Sequence, residues 1–238
     1  MKTEGRNAVF ELLKTGKNIE KIMLEKEPQG SLKSIFAEAR KRNIKVQFVD
    51  RRALDKTSEE GRHQGVIAFS SDFVYSSLDE IISAREENRG FVVLCDGIED
   101  VHNLGSIIRV AECAGADGVV IPSNNSASVT DAVIRISAGA VNHIRVAKVN
   151  SIKRAVDRLK QENYWVYALE ADGTDIYKSD FSGNVALVVG GEDCGVKRLT
   201  REKCDFIVSI PLKGKVNSLN ASVALGISAY EVVRKRND

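Results

Sequence analysis

The chain has 238 residues, 43% hydrophobic and 29% charged, with 18 glycines, 3 prolines and a formal net charge of +2. That composition excludes collagen-like and disordered classes, and the length accommodates one large domain or two modest ones. No apolar run approaches the roughly 18 residues of a membrane span, and Lys2, Glu4 and Arg6 interrupt the start where a secretory signal would be apolar, so a cytoplasmic protein is expected.

In chain order, periodicity predicts a helix near Asn7–Leu13, a strand near Ile19–Leu24, and a helix capped by Ser31 and running to about Arg42, with Leu32, Ile35, Phe36 and Ala39 on one face. Strands at Lys45–Val49 and Gly65–Phe69 complete a small α/β unit. The serine-rich stretch Ser70–Ser77 reads as a seam, and Leu78–Arg85 as an amphipathic helix beyond it. The expected division is therefore 1–77, a linker helix over 78–89, and a second domain over 90–238.

From Gly90 the strands are more continuously apolar: Phe91–Cys95, Gly118–Ile121, Arg145–Val149, Tyr164–Leu169, Val185–Val189 and Phe206–Ile210. Between them fall helices starting near Asn103 and after Ser151, and a last one with Leu219, Val223, Ile227, Tyr230 and Val233 on its apolar stripe. Strands without alternation, separated by amphipathic helices, predict a mainly parallel sheet covered on both faces.

Cys95, Cys113, Cys194 and Cys204, with His63, His102 and His143, show no metal-ligand spacing, so no metal is expected. Charge is uneven. Residues 1–77 hold 15 Lys/Arg against 11 Asp/Glu, and residues 33–56 hold 8 against 3, including Arg40-Lys41-Arg42 and Arg51-Arg52. Such a cluster suits a nucleic-acid-facing module as well as a solvated helix face.

Ligands of open parallel sheets collect at the carboxyl ends of strands, and three loops there stand out. In the first, Asn103 is placed as a helix N-cap, Gly105 lets another group approach the first turn, and Arg109 lies one position off the apolar stripe, able to reach the strand ends. The second is the turn Gly190-Gly191-Glu192-Asp193-Cys194-Gly195. The third is Ile210 to Ser222, which crowds Ser218, Asn220 and Ser222 at the start of the final helix. Capping, close packing and a tight turn account for such residues as readily as chemistry does, and no catalytic triad or phosphate loop can be picked out.

Taken together and in this order, the loops resemble the three motifs of the SpoU (TrmH-like) family of RNA ribose 2′-O-methyltransferases: N-x-G-x-I-x-R at Asn103–Arg109, G-x-E-x-x-G at Gly190–Gly195, and I-P-x-x-G-x-x-x-S-L-N-x-S at Ile210–Ser222. Gly5-Arg-Asn-Ala-Val-Phe-Glu-Leu-Leu and His63-Gln-Gly-Val resemble the RlmB-like members, which modify a guanosine of 23S ribosomal RNA. Val101, Val110 and Asp193 depart from the family's usual proline, threonine and glycine.

The resemblance implies an α/β fold with a trefoil-knotted, SPOUT-type parallel-sheet domain at the carboxy terminus and a small L30-like RNA-binding domain at the amino terminus. It further implies S-adenosylmethionine as cofactor, held mainly by backbone at Gly190, Ile210 and Leu219. It makes Arg109, Asn103, Glu192, Ser218 and Asn220 the catalytic group and the protein a homodimer with its site completed across the interface; the L30-like likeness fits the basic count, so that Arg40, Lys41, Arg42, Arg51 and Arg52 are the expected RNA contacts. A transfer-RNA methyltransferase, a resistance-type ribosomal enzyme and a non-catalytic RNA-binding protein are the alternatives. Connection rules alone would select an unknotted doubly wound sheet.

Overall fold

The computed structural model describes residues 2–15, 18–59, 61–71, 73–192 and 194–237. The chain divides into two compact units, with the boundary between Val74 and Tyr75. Asp72, inside the stretch expected as a seam, and Asp193 lie outside the described residues.

The first unit is built from β1 (Lys2–Glu4), α1 (Arg6–Lys14), β2 (Asn18–Glu25), α2 (Ser31–Lys41), β3 (Val46–Val49), α3 (Arg51–Thr57) and β4 (Val66–Ser71). Its sheet runs β1-β4-β2-β3, with β2 and β3 parallel and the other pairs antiparallel. Alternation along β2 divides the core. Ile22 and Leu24 pack with Val9, Leu13, Leu32 and Ile35 from α1 and α2, while Met23 meets Leu54 of α3 on the opposite face.

One sequence expectation needs correction here, and two elements were missed. Ser31 is the first helical residue of α2 rather than its cap; Gly30, at φ +56°, takes the N-cap position. β1 and α3 were not anticipated, since three residues and seven residues carry too little periodicity to register.

The amino-terminal GRN and HQGV segments meet. Gln64 Oε1 accepts from Arg6 N at 3.1 Å, its backbone carbonyl accepts from Arg6 Nε at 2.9 Å, and Gly5 N donates to the Val66 carbonyl at 3.3 Å. His63 is buried, accepting from Gly65 N through Nδ1 and facing Asp55 Oδ1 through Nε2 at 2.8 Å. Because Nδ1 accepts from Gly65 N, it is Nε2 that presents its N–H to Asp55.

The second unit comprises α4 (Leu78–Ser83), β5 (Phe91–Asp96), α5 (Val101–Cys113), β6 (Gly118–Pro122), α6 (Asp131–Ile136), β7 (Arg145–Val149), α7 (Ile152–Gln161), β8 (Tyr164–Asp175), β9 (Asn184–Gly190), α8 (Arg198–Arg201), β10 (Phe206–Ser209) and α9 (Ala221–Asn237). Its six strands are all parallel, in the order β10-β8-β9-β5-β6-β7. Both faces are covered, as the unalternating strands require. Val92, Leu94, Ala186 and Val188 lie in the cluster that includes α4 and α7, and Phe91, Val93, Val185 and Leu187 are buried on the other side. There α9 packs over β9 and against α5.

The segment 78–89, expected as a linker, begins with a helix that belongs to the second unit's core. Ser77 and Glu80 form a capping box, and Ile81 and Ile82 are buried among the sheet residues. The final helix also departs from expectation. Its buried side carries Leu225, Ser228, Ala229 and Val232, whereas Val223 and Tyr230 of the expected apolar stripe are 49% and 52% exposed. At its far end Arg236 donates to the carbonyls of Arg89, Gly90 and Gly183 at 2.8–2.9 Å. Among the described residues no helix is long and apolar enough to cross a membrane.

Candidate active site

β5, β6 and β7 extend the sheet in one direction and β9, β8 and β10 in the other, so the order reverses between β5 and β9. The carboxyl ends of neighbouring strands diverge at such a reversal and leave a crevice. All three loops singled out in the sequence open there: β5 to α5, the glycine turn after β9, and β10 to α9.

Local chemistry sets each loop. α5 begins at Val101, two residues before the sequence placed it, because Asp100 is its N-cap and accepts from His102 N at 2.9 Å. That frees Asn103 from the capping task predicted for it. The glycine turn doubles back on itself, with Gly195 N donating to the Gly191 carbonyl at 2.9 Å. A Cβ on Gly190 would lie 2.0 Å from the Gly195 carbonyl carbon, and one on Gly191 2.6 Å from the Gly97 carbonyl oxygen. Glycine is needed here because backbone crosses backbone.

Three of the candidate residues come together. Asn103, itself 8% exposed, donates from Nδ2 to Glu192 Oε1 at 2.9 Å. Asn220 donates from its Nδ2 to the same carboxylate oxygen at 2.7 Å and to Asn103 Oδ1 at 2.8 Å. Asn220 Oδ1 meanwhile caps α9, accepting from Ser222 N and Val223 N at 3.0 and 3.3 Å. One carboxylate thus holds an amide from each of the other two motifs.

Glu192 also lines a cavity of about 340 Å³, together with Gly190, Ile210, Ser218 and Leu219. Leu169, Val189, Val208 and Ala221 supply apolar wall. The volume lies at the lower end of the roughly 300–1,000 Å³ typical of small-molecule sites. An apolar wall, bare backbone at the glycines and carboxylates at the rim suit a ligand with a flat heterocycle and a cationic group.

Arg109 is not part of this cluster. It follows Asn103 by six residues, about 9 Å along the helix axis and some 120° around it. It is exposed and makes no hydrogen bond or ion pair among the described residues. The expectation that it reaches the strand ends is corrected for a single chain, because α5 carries it away from them. Gly105 does admit a close neighbour, but that neighbour is Ile136 of α6, whose Cγ2 would sit 2.6 Å from an added Cβ.

Two residues near the site had been given no role by the sequence. Glu170 lines the cavity and accepts from Val196 N, holding the end of the glycine turn. Asp96 is buried; its Oδ2 accepts from Lys197 N at 3.1 Å and its Oδ1 lies 3.5 Å from Lys197 Nζ. The available signal was an acidic residue closing an otherwise apolar strand. Next to it, burial and then the Asp96 carboxylate push the Cys95 thiol up to about 12, so no thiolate nucleophile stands at this strand end.

In the first unit the basic residues differ in availability. Arg42 pairs with Glu38 at 3.3 Å and donates to the Thr15 carbonyl at 3.3 Å, and Arg51 lies 3.8 Å from Glu25. Arg40, Lys41 and Arg52 are exposed and pair with no carboxylate among the described residues.

Comparison with known proteins bears on both units. Residues 90–230 match the model of the SpoU rRNA Methylase family, and residues 3–75 match one described as RNA 2′-O ribose methyltransferase substrate binding. YacO of Bacillus subtilis, named as a TrmH family tRNA/rRNA methyltransferase, is 41% identical over 98% of this chain and 95% of its own. The AdoMet-bound rRNA methyltransferase of Sinorhizobium meliloti superposes with a TM-score of 0.59 at 26% identity, covering 98% of this chain and 86% of that one. For a TrmH/SpoU tRNA modifying enzyme of A. aeolicus the TM-score is 0.58 at 26% identity, over 67% of this chain and 81% of that one.

Proposed function

Because the chain belongs to the SpoU rRNA methylase family, and so is an S-adenosylmethionine-dependent RNA ribose 2′-O-methyltransferase, we propose that its substrate is a guanosine of large-subunit (23S) ribosomal RNA, methylated in the cytoplasm. The observation that carries the reading is the junction of Asn103, Glu192 and Asn220 at the rim of an apolar cavity. The ribosomal assignment draws on the first unit. The S. meliloti rRNA enzyme aligns with nearly the whole chain, while the tRNA enzyme aligns with a share close to that of the second unit.

The cofactor, when bound, supplies an electrophilic methyl group on a sulfonium; the residues that would hold it are Gly190, Ile210 and Leu219, through backbone. The chain's own contribution is orientation and proton acceptance. A ribose hydroxyl is a weak nucleophile, so its oxygen has to be aligned and its proton accepted. Glu192 is the acceptor with a fixed direction, because two amides hold one of its oxygens. Asn103 and Asn220 position that carboxylate, and Ser218 offers a hydroxyl on the same rim.

Arg109 takes the RNA phosphate beside the reacting ribose, where its two-pronged guanidinium matches phosphate oxygens. An arginine pKa above about 12 disfavours it as a base. Since one chain keeps Arg109 away from its own cavity, the proposed site takes it from a second copy in a homodimer. The exposed Val223 and Tyr230 on α9, the helix packed against α5, support that pairing. The knotted carboxy terminus belongs to the same proposal, and a chain that leaves the sheet edge at β10 yet returns over β9 supports it.

The test is methylation of large-subunit RNA by the full chain, followed by mapping of 2′-O-methyl positions. One new guanosine site is expected. Modification of transfer RNA only, or of neither, overturns the ribosomal assignment. Mixing Arg109→Ala and Asn220→Ala protomers checks the shared site: two inactive parents are expected to give a partly active mixture.

A further inference from the structure

On the first unit, Lys33, Phe36 and Arg40 follow one another at helical spacing along α2, forming a single stripe without a carboxylate. Beside it runs β3, an edge strand of the sheet. Phe48 of β3 lies on the same face, its ring centroid 5.2 Å from that of Phe36 at an interplanar angle of 61°. Phe48 is 44% exposed, although aromatic side chains in so small a domain gain most by burial. The Arg40 guanidinium stands 5.8 Å from the Phe36 centroid. Neither Lys33 nor Arg40 pairs with a carboxylate among the described residues.

We propose that Phe36 and Phe48, flanked by Lys33 and Arg40, form a stacking platform for an unpaired RNA base. A half-exposed ring offers a π-face to any base, and cations without acidic partners are available to the adjoining phosphates. An apolar protein segment would need little of that charge; a paired duplex would leave the ring unused, because its bases are already stacked. The first unit therefore reads a loop or bulge, and its aromatic pair decides that preference. This rests on the reading of the protein as an RNA methyltransferase.

The experiment measures binding of the full chain to two RNAs of equal length, a hairpin with an unpaired loop and a fully paired duplex, across a range of salt. Phe48→Leu, an apolar change at an exposed position, is expected to weaken hairpin binding roughly ten-fold with an unchanged salt slope. Duplex binding should stay as in the parent, and Phe48→Trp should retain hairpin binding. Arg40→Gln should lower the salt slope for both RNAs. If Phe48→Leu binds the hairpin like the parent, or loses both RNAs alike, the platform is overturned and the methyltransferase reading stands. If the parent binds neither RNA, the RNA reading of this unit fails, and the platform with it.

Discussion

The Asn220 side chain divides its two ends between two tasks: its oxygen caps α9, and its nitrogen holds Glu192 and Asn103. The tasks can be separated by substitution. Asn220→Asp keeps an acceptor favoured at helix N-caps but removes the donor and sets a second carboxylate against Glu192. Thermal unfolding should show near-parental stability, while single-turnover methyl transfer falls 10²-fold or more, the scale of loss expected when reacting groups are misplaced. Asn220→Ala should in addition lose about 1 kcal/mol of stability with the cap.

Cys95 gives a pH-dependent prediction at the same scale. Burial holds its thiol neutral in the fold up to about 12, whereas an unfolded cysteine ionises near its ordinary value of about 8.5. Above that ordinary value the unfolded chain binds fewer protons than the folded one, so stability declines as pH rises toward the folded value. Denaturant titrations at neutral and alkaline pH should show that decline, and Cys95→Ala should be less stable at neutrality but flatter with pH. Thiol labelling should modify the exposed Cys113 and Cys194 in the native protein and reach Cys95 only on unfolding.

Between elements, the packing of α5 against α6 is a close fit that a single added atom tests. Gly105 faces Ile136, whose Cβ and Cγ2 would stand 2.7 and 2.6 Å from an added methyl group. Gly105→Ala gains helix propensity on paper, yet overpacking of this kind typically costs about 1–3 kcal/mol. Ile136→Ala in the same chain should recover a good part of that loss, a coupling that a double-mutant cycle of unfolding free energies measures directly. Independent, additive losses would show that α6 simply moves aside. Because α5 also carries Asn103, a displaced α6 is expected to lower methyl transfer more than cofactor affinity.

At the level of the molecule, the second unit holds every residue that lines the cavity and should bind S-adenosylmethionine alone. The fragment to use starts at Tyr75, since the Tyr75 hydroxyl accepts from Val129 N at 2.8 Å and Ser76 bridges to Ala147. Calorimetry on residues 75–238 should give an affinity comparable to that of the whole chain. A fragment starting at residue 90 removes Ile81 and Ile82 from the core and should unfold at lower temperature, because two buried side chains are lost with the cavity they filled. RNA affinity should show the opposite dependence. Replacing Arg40, Lys41 and Arg52 by alanine should flatten its salt dependence in the full chain while leaving cofactor binding unchanged.

The amino-acid sequence by itself determined the parallel sheet, through six apolar runs that neither alternate nor lengthen into helices. It also determined the three loops, because residues such as Asn103, Glu192 and Asn220 stand out against apolar neighbours at strand ends. Hydrophobic periodicity and polar exceptions are local properties, readable within a dozen residues. Other features depended on partners distant in the chain. Asn103 passed from cap to site because Asp100 took the cap; Gly105 met Ile136 rather than a ligand; and α4 joined the second core rather than bridging to it. The final helix is the clearest case. Leu219, Val223, Ile227, Tyr230 and Val233 are a sound apolar stripe by spacing, yet β9 and α5 receive the face with Leu225, Ala229 and Val232. Spacing reports that a face is apolar, but which apolar face turns inward is decided by the elements that pack against it, and those are brought there only by the tertiary fold.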